Sequence, residues 1–287
     1  MSIEKTCFCV MRFLALITYM LGGFELQAQQ KKTSIDSVLL ASQQEESHGT
    51  VVGKEVGKFL RDAALLQTKL FDWDTIKVLV GTLPVFIGAR MIDENVHSHF
   101  YDHDHHKNIC QMHNACYEVA KNSLAVPIVL LGSGVIWSKD EEFRETSRMF
   151  LVGMPFVIWS KEIIKKWQSP CCKRPWNEKY SHSKQSYGGF PSGHMAEIVY
   201  STVLFGKRLG PKVGVPLGIL SAFLGITFVN CNRHYVSQLV AGAALGTMYA
   251  LAADKLISTN LEKRHAVDVG VGLNDQGGPE LKVAFSF

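Results

Sequence analysis

Charge is sparse in this chain. Asp, Glu, Lys and Arg together make up 20% of its 287 residues, with a formal net charge of +4. The 30 Lys and Arg are scattered and form no stripe, so the electrostatic footprint of a nucleic-acid binder is missing. Cysteine is sparse too, seven in all, which excludes a disulfide-held miniprotein. No repeat of fixed period occurs, which removes solenoids and propellers. Apolar runs with length to spare are also lacking, since the main uncharged segments stop at 18 residues. What remains is a chain that is 47% apolar with a mean hydropathy of +0.06. That value excludes a disordered tail and falls between a soluble enzyme and a many-spanning membrane protein. Its mildly basic balance suits phosphate esters or an anionic membrane face.

The chain divides by composition. Lys5 and Arg12, the apolar run Phe13 to Phe24 and the sequence Glu25-Leu26-Gln27-Ala28 predict an export signal over 1–28, the alternative being an uncleaved anchor. Residues 29–50 read as a polar linker. Val56, Phe59, Leu60, Ala63 and Leu66 follow helical spacing and predict an amphipathic helix. Apolar segments follow at Val78–Ala89, Asn122–Ser138, Phe150–Ser160, Met195–Gly206, Val213–Asn230 and Val236–Ala253. The second, fifth and sixth have 17 or 18 residues and could just span a bilayer; the others could not unaided. The expected fold is all-α, a bundle of about six core helices over 51–260, apolar enough in part to be membrane-embedded. Over 261–287 the period changes to alternation, and a short C-terminal β-hairpin is expected around the turn cluster Asn274 to Pro279. Of the cysteines beyond the signal, Cys110 and Cys116 are the expected disulfide.

The chemistry concentrates between Lys165 and Gly242. Pro191 and Gly193 punctuate a turn before the apolar run that starts at Met195. Ser192 is therefore expected to cap a helix whose first amides, Gly193 and His194, make an anion site. His234 opens a second helix, with Asn232 as candidate cap. Gln238, four residues on, shares its face and can hold the ring. Two histidines at two helix starts, with Lys166 and Arg174 upstream, suit phosphoryl transfer. One imidazole can attack phosphorus while the other protonates the leaving oxygen. The run His97, His99, Asp102, His103, Asp104, His105, His106 and His113 has residue types that bind zinc, copper or nickel. It lacks the spacing of a zinc module and reads first as a solvated loop, with no metal assigned.

These blocks resemble the type 2 phosphatidic acid phosphatase and vanadium haloperoxidase superfamily, over roughly Asp72 to Lys255. That family carries Lys, six residues, Arg-Pro; then Pro-Ser-Gly-His; then Ser-Arg, five residues, His, three residues, Asp. Arg174-Pro175, Pro191 to His194 and His234 match these blocks. The resemblance implies a phosphatase acting on a lipid phosphate monoester or diphosphate through a phosphohistidine on His234. His194 would be its general acid, with Lys166, Arg174, Ser192 and Gly193 on the phosphate oxygens. It implies no cofactor, a phosphorylated lipid or other phosphate ester as partner, a membrane, and an exported active site facing the periplasm or outside.

Three departures stand out. Lys166 lies one residue out of register before Arg174, and Trp167 holds the in-register position. Thr227-Phe228 replaces Ser-Arg, and Gln238 replaces the Asp. A charge-assisted bond to phosphate contributes about 1.5–3 kcal/mol, so these losses also admit a catalytically weakened phospholipid-binding or scaffold protein. A vanadate-dependent haloperoxidase is the minor alternative.

Overall fold

The computed structural model describes residues 51–100, 138–166, 173–175, 188–230, 233–264, 267–273 and 279–285. The expected signal, linker, Asn122–Ser138 helix (but for Ser138), Cys110–Cys116 pair and most of the histidine run lie outside the described residues. Six helices are described: α1 (Val51–Lys69), α2 (Trp73–Phe100), α3 (Glu141–Lys165), α4 (Gly193–Leu209), α5 (Pro211–Asn230) and α6 (Val236–Arg264). The fold is an all-α bundle. Beyond it, strands β1 (Val267–Leu273) and β2 (Pro279–Phe285) pair antiparallel, with Val267 opposite Phe285 and Leu273 opposite Pro279.

Local chemistry sets the helix ends. The Asp140 carboxylate accepts a bond from Phe143 N at 3.1 Å and caps α3. Gly210, at φ 82°, closes α4, and Pro211 then opens α5 with its ring preset for a first turn. Helix α2 runs well past the expected segment Val78–Ala89. Arg90 and Asp93 extend it because they bond to each other at 3.0 Å across one turn and can therefore be buried. Consequently Trp73–His99, Pro211–Asn230 and Val236–Glu262 are the described helices long and apolar enough to cross a membrane. On α2, Val80, Val85 and Met91 are exposed, as are Ile219, Phe223 and Ile226 on α5.

The core joins α1, α3, α4 and α6 through Leu66, Met149, Phe150, Val157, Tyr200, Leu204, Leu256 and Ile257. The buried face of α1 differs from the expected one. Asp62, Ala63 and Leu66 are buried, while Phe59 and Leu60 are exposed. Asp62 can enter because Arg148 of α3 pairs with it at 2.8 Å and with Glu145 at 2.5 Å. Helices α4 and α6 touch along backbone. A side chain at Gly242 would overlap the Ser192 carbonyl, and one at Gly246 the Ala196 carbonyl. That close approach brings the start of α4 beside the start of α6.

Candidate active site

Three helix ends converge: the end of α3, the start of α4 and the turn entering α6. The turn places His234, 4% exposed, with its Nδ1 2.8 Å from the Gly189 carbonyl oxygen and 3.2 Å from Gln238 Oε1. The Gln238 amide is oriented from both sides. Its Oε1 accepts from Tyr235 N at 3.2 Å, and its Nε2 donates to the Lys173 carbonyl at 2.7 Å. Both oxygens facing Nδ1 are therefore acceptors, so Nδ1 carries the proton and Nε2 keeps its lone pair. The neutral glutamine and a main-chain carbonyl thus set the tautomer without a carboxylate. A side chain at Gly189 would meet the Gln238 amide at 2.7 Å, which is why glycine stands there.

His194 sits across from it. The Phe228 ring, 3% exposed, packs against both imidazoles, with its centroid 5.8 Å from His194 and 5.6 Å from His234. The position where the sequence lacks an arginine is thus an apolar wall of the same pocket. Ser192 departs from expectation. It is the N-cap of α4 but its side chain makes no cap bond. Its hydroxyl is buried and finds no partner among the described residues. Ser192 N instead donates to the Gln238 carbonyl at 3.0 Å, tying the two helix starts together. A buried hydroxyl beside the first amides of a helix has the chemistry to accept an anion.

Two neighbouring lysines at the end of α3 differ in exposure. Lys166 is exposed at the C-cap of α3, whereas Lys165 is partly buried and its charge acts on both histidines. One helical position rotates a side chain by about 100°, which is enough to take it off the facing surface. Arg174 does join the site. It donates to the Arg233 carbonyl at 2.8 Å and the Gly188 carbonyl at 3.2 Å, clamping the loops that carry His234 and Gly189. Burial first, then Lys161, Lys165, Arg233 and Arg174, push the His194 pKa down to about 4. Burial, then Arg174 and Lys165, hold His234 well below its ordinary value, partly offset by the Gln238 bond. Lys165 is itself lowered by burial and by Lys161. The pocket is a concentration of positive charge with neutral imidazoles inside it.

Sequence reasoning missed four contributors. Asp93 of α2 accepts from Ser237 N at 3.0 Å and Ser237 Oγ at 2.5 Å, capping α6 from another helix. No local pattern marks a cap that lies 144 residues away. The Gly189 carbonyl is backbone and leaves no residue-type signal, although Gly188-Gly189 before Phe190 is a visible turn pair. Lys161 and Lys165 are four apart on one helix and could have been read as a charged face. His97 packs its ring edge-on at 5.9 Å from Tyr235, and His99 is exposed on α2. His103, His105 and His106 lie outside the described residues. Among the described residues no group of three or more His, Cys, Asp or Glu could hold a metal ion.

Comparison with known proteins adds to this geometry. A family model described as the PAP2 superfamily matches residues 147–262. No curated protein matches the chain. A solved structure of a transmembrane PAP2 type phosphatidylglycerolphosphate phosphatase from Bacillus subtilis is similar at 17% identity. The match covers 67% of this chain and 98% of that one, with a TM-score of 0.46.

Proposed function

From the match of residues 147–262 to the PAP2 superfamily model, we propose that the protein is a phosphatase of this class hydrolysing a lipid phosphate ester. The observation that carries the reading is the pair of imidazoles that both contact Phe228, one of them with its Nδ1 proton held by Gly189 and Gln238. In the reaction, the lone pair on His234 Nε2 attacks phosphorus and an N–P bond forms. The P–O bond to the lipid breaks, and the leaving oxygen takes a proton from His194. A water then attacks the phosphohistidine, giving its proton to His194, and inorganic phosphate departs. Gly189 and Gln238 keep the attacking nitrogen unprotonated and share the positive charge that develops on the ring. Before substrate arrives His194 is neutral, as its low pKa requires. The incoming phosphate brings negative charge among Lys161, Lys165, Arg174 and Arg233, which raises that pKa and lets His194 take up the proton it later donates.

Helices α2, α5 and α6, long and apolar enough to cross a membrane, support a lipid substrate. An outward-facing active site, on a chain exported by residues 1–28, belongs to the same proposal. Purified protein in detergent should release phosphate from phosphatidate or an isoprenoid diphosphate. Rapid quench into alkaline denaturant with labelled substrate should trap a base-stable, acid-labile phosphoprotein that His234→Ala lacks. Turnover that survives His234→Ala would overturn the nucleophile assignment, and absence of hydrolysis on both substrates would favour the scaffold reading that Phe228 and Gln238 suggest.

A further inference from the structure

The pocket wall at Phe228 lacks the cation that the motif pattern would place there, and a buried lysine outside every motif stands elsewhere on the same pocket. Lys161 lies one turn before Lys165 on α3 and is 9% exposed. Its Nζ pairs with Glu197, itself 7% exposed on α4. The lysine chain lies along the first turn of α4, for a side chain at Gly193 would meet Lys161 Cδ at 2.6 Å and Nζ at 2.8 Å. Its ammonium is therefore beside the opening turn of α4, where the buried Ser192 hydroxyl finds no partner among the described residues. An ammonium has three donors, so Lys161 can keep Glu197 and still donate to an anion at that turn. A buried pair of this kind adds little net stability, so the packing of α3 on α4 does not by itself call for it.

We propose that Lys161, held in place by Glu197, is a phosphate-binding residue of this site and supplies the positive charge missing at Phe228. The inference rests on the phosphatase reading above and assigns a ligand contact that no motif contains. Gly193 is part of the same arrangement, because any larger residue would push the lysine off the helix start. Lys161 is also the foremost charge acting on His194, so its position makes it sensitive to whatever binds there.

The test uses the full chain in detergent with inorganic phosphate as probe, followed by calorimetry, beside steady-state hydrolysis. Lys161→Met combined with Glu197→Gln removes both charges and leaves no orphaned carboxylate. It should melt close to the parent, bind phosphate at least tenfold more weakly and raise KM more than it lowers kcat. Lys161→Arg should recover most of the affinity. A folded double variant that binds phosphate like the parent, while the parent turns over, overturns this proposal alone. A parent that neither binds phosphate nor hydrolyses an ester overturns this proposal together with the phosphatase reading. Should the double variant not fold, Glu197→Gln alone decides the matter. Glutamine keeps an acceptor that holds Lys161 in place but removes the competing negative charge, so phosphate should bind several-fold more tightly, and unchanged or weaker binding would count against the assignment.

Discussion

The Nδ1 of His234 lies 2.8 Å from the main-chain carbonyl oxygen of Gly189. A carbonyl only accepts, so this one contact directs the imidazole proton inward and leaves Nε2 as the basic nitrogen facing the pocket. It does so without adding negative charge, which keeps the ring tautomer correct but stabilises an imidazolium less than a carboxylate would. The balance between orientation and charge is what the first variant addresses.

Gln238→Asp is expected to separate rate from stability. An ionised Asp favours the positive ring, so the chemical step should quicken by about tenfold, roughly 1.4 kcal/mol. The shorter side chain gives up the bond from Gln238 Nε2 to the Lys173 carbonyl, a loss of about 1–3 kcal/mol if that oxygen stays buried. Single-turnover kinetics and thermal melting of one preparation check both signs. A variant that is slower and equally stable contradicts the assignment.

Phe228→Arg should make folding depend on phosphate. The ring is 3% exposed and touches both histidines, at a site where Lys161, Lys165, Arg174 and Arg233 already act on His194. A guanidinium there without an anion would destabilise by several kcal/mol. Added phosphate should therefore raise the melting temperature of the variant by more than it raises the parent's. Equal shifts in both proteins would place residue 228 away from the anion.

Anion binding should take up protons. Sulfate remains a dianion across mild pH, and bound beside His194 it should raise a pKa that stands near 4 in the empty site. Affinity should then increase as pH falls from about 7 toward 5, and calorimetry in buffers of different ionisation enthalpy should show uptake. His194→Gln should reduce that uptake. The stability sign is separate: the unfolded chain protonates this group near its ordinary 6.5, so stability without anion falls as pH drops from 6.5 toward 4. Binding that is independent of pH would show that neither imidazole senses the anion.

Arg174→Lys should cost both rate and order. The guanidinium bridges the Arg233 and Gly188 carbonyls at 2.8 and 3.2 Å, a fork that an ammonium does not reproduce. A loss of about 1.5–3 kcal/mol in stability is expected, with at least a tenfold fall in kcat. Parent-like melting and turnover would assign the clamp elsewhere.

Gly242→Ala tests the helix approach. The added carbon would overlap the Ser192 carbonyl, forcing α6 away from α4 and parting the two histidines. Overpacking of this kind destabilises by about 1–3 kcal/mol. Activity should fall further than the stability change accounts for, as read from kcat on fully folded protein. A parent-like kcat would mean that the site tolerates the shift.

Relations within one helix were legible in the chain itself. The start of α4 after Pro191, the spacing of His234 and Gln238, and the apolar lengths of α5 and α6 follow from helical periodicity and turn chemistry, which neighbours in sequence carry with them. Arg174 and Phe228 could be given positions because fixed intervals tie them to the histidines. What tertiary structure decided lies across elements. Lys161 is buried against the start of α4 while Lys166 is exposed, because the rotation of the end of α3 depends on its packing against α4. Asp93 caps α6 because α2 lies alongside it, and α2 extends that far because Arg90 and Asp93 neutralise each other in the interior. Ser192 leaves its own helix uncapped because its amide is already drawn to Gln238 on a neighbouring one. Hydrogen-bond partners and buried charges are chosen by proximity in space, and only the packed chain supplies that proximity.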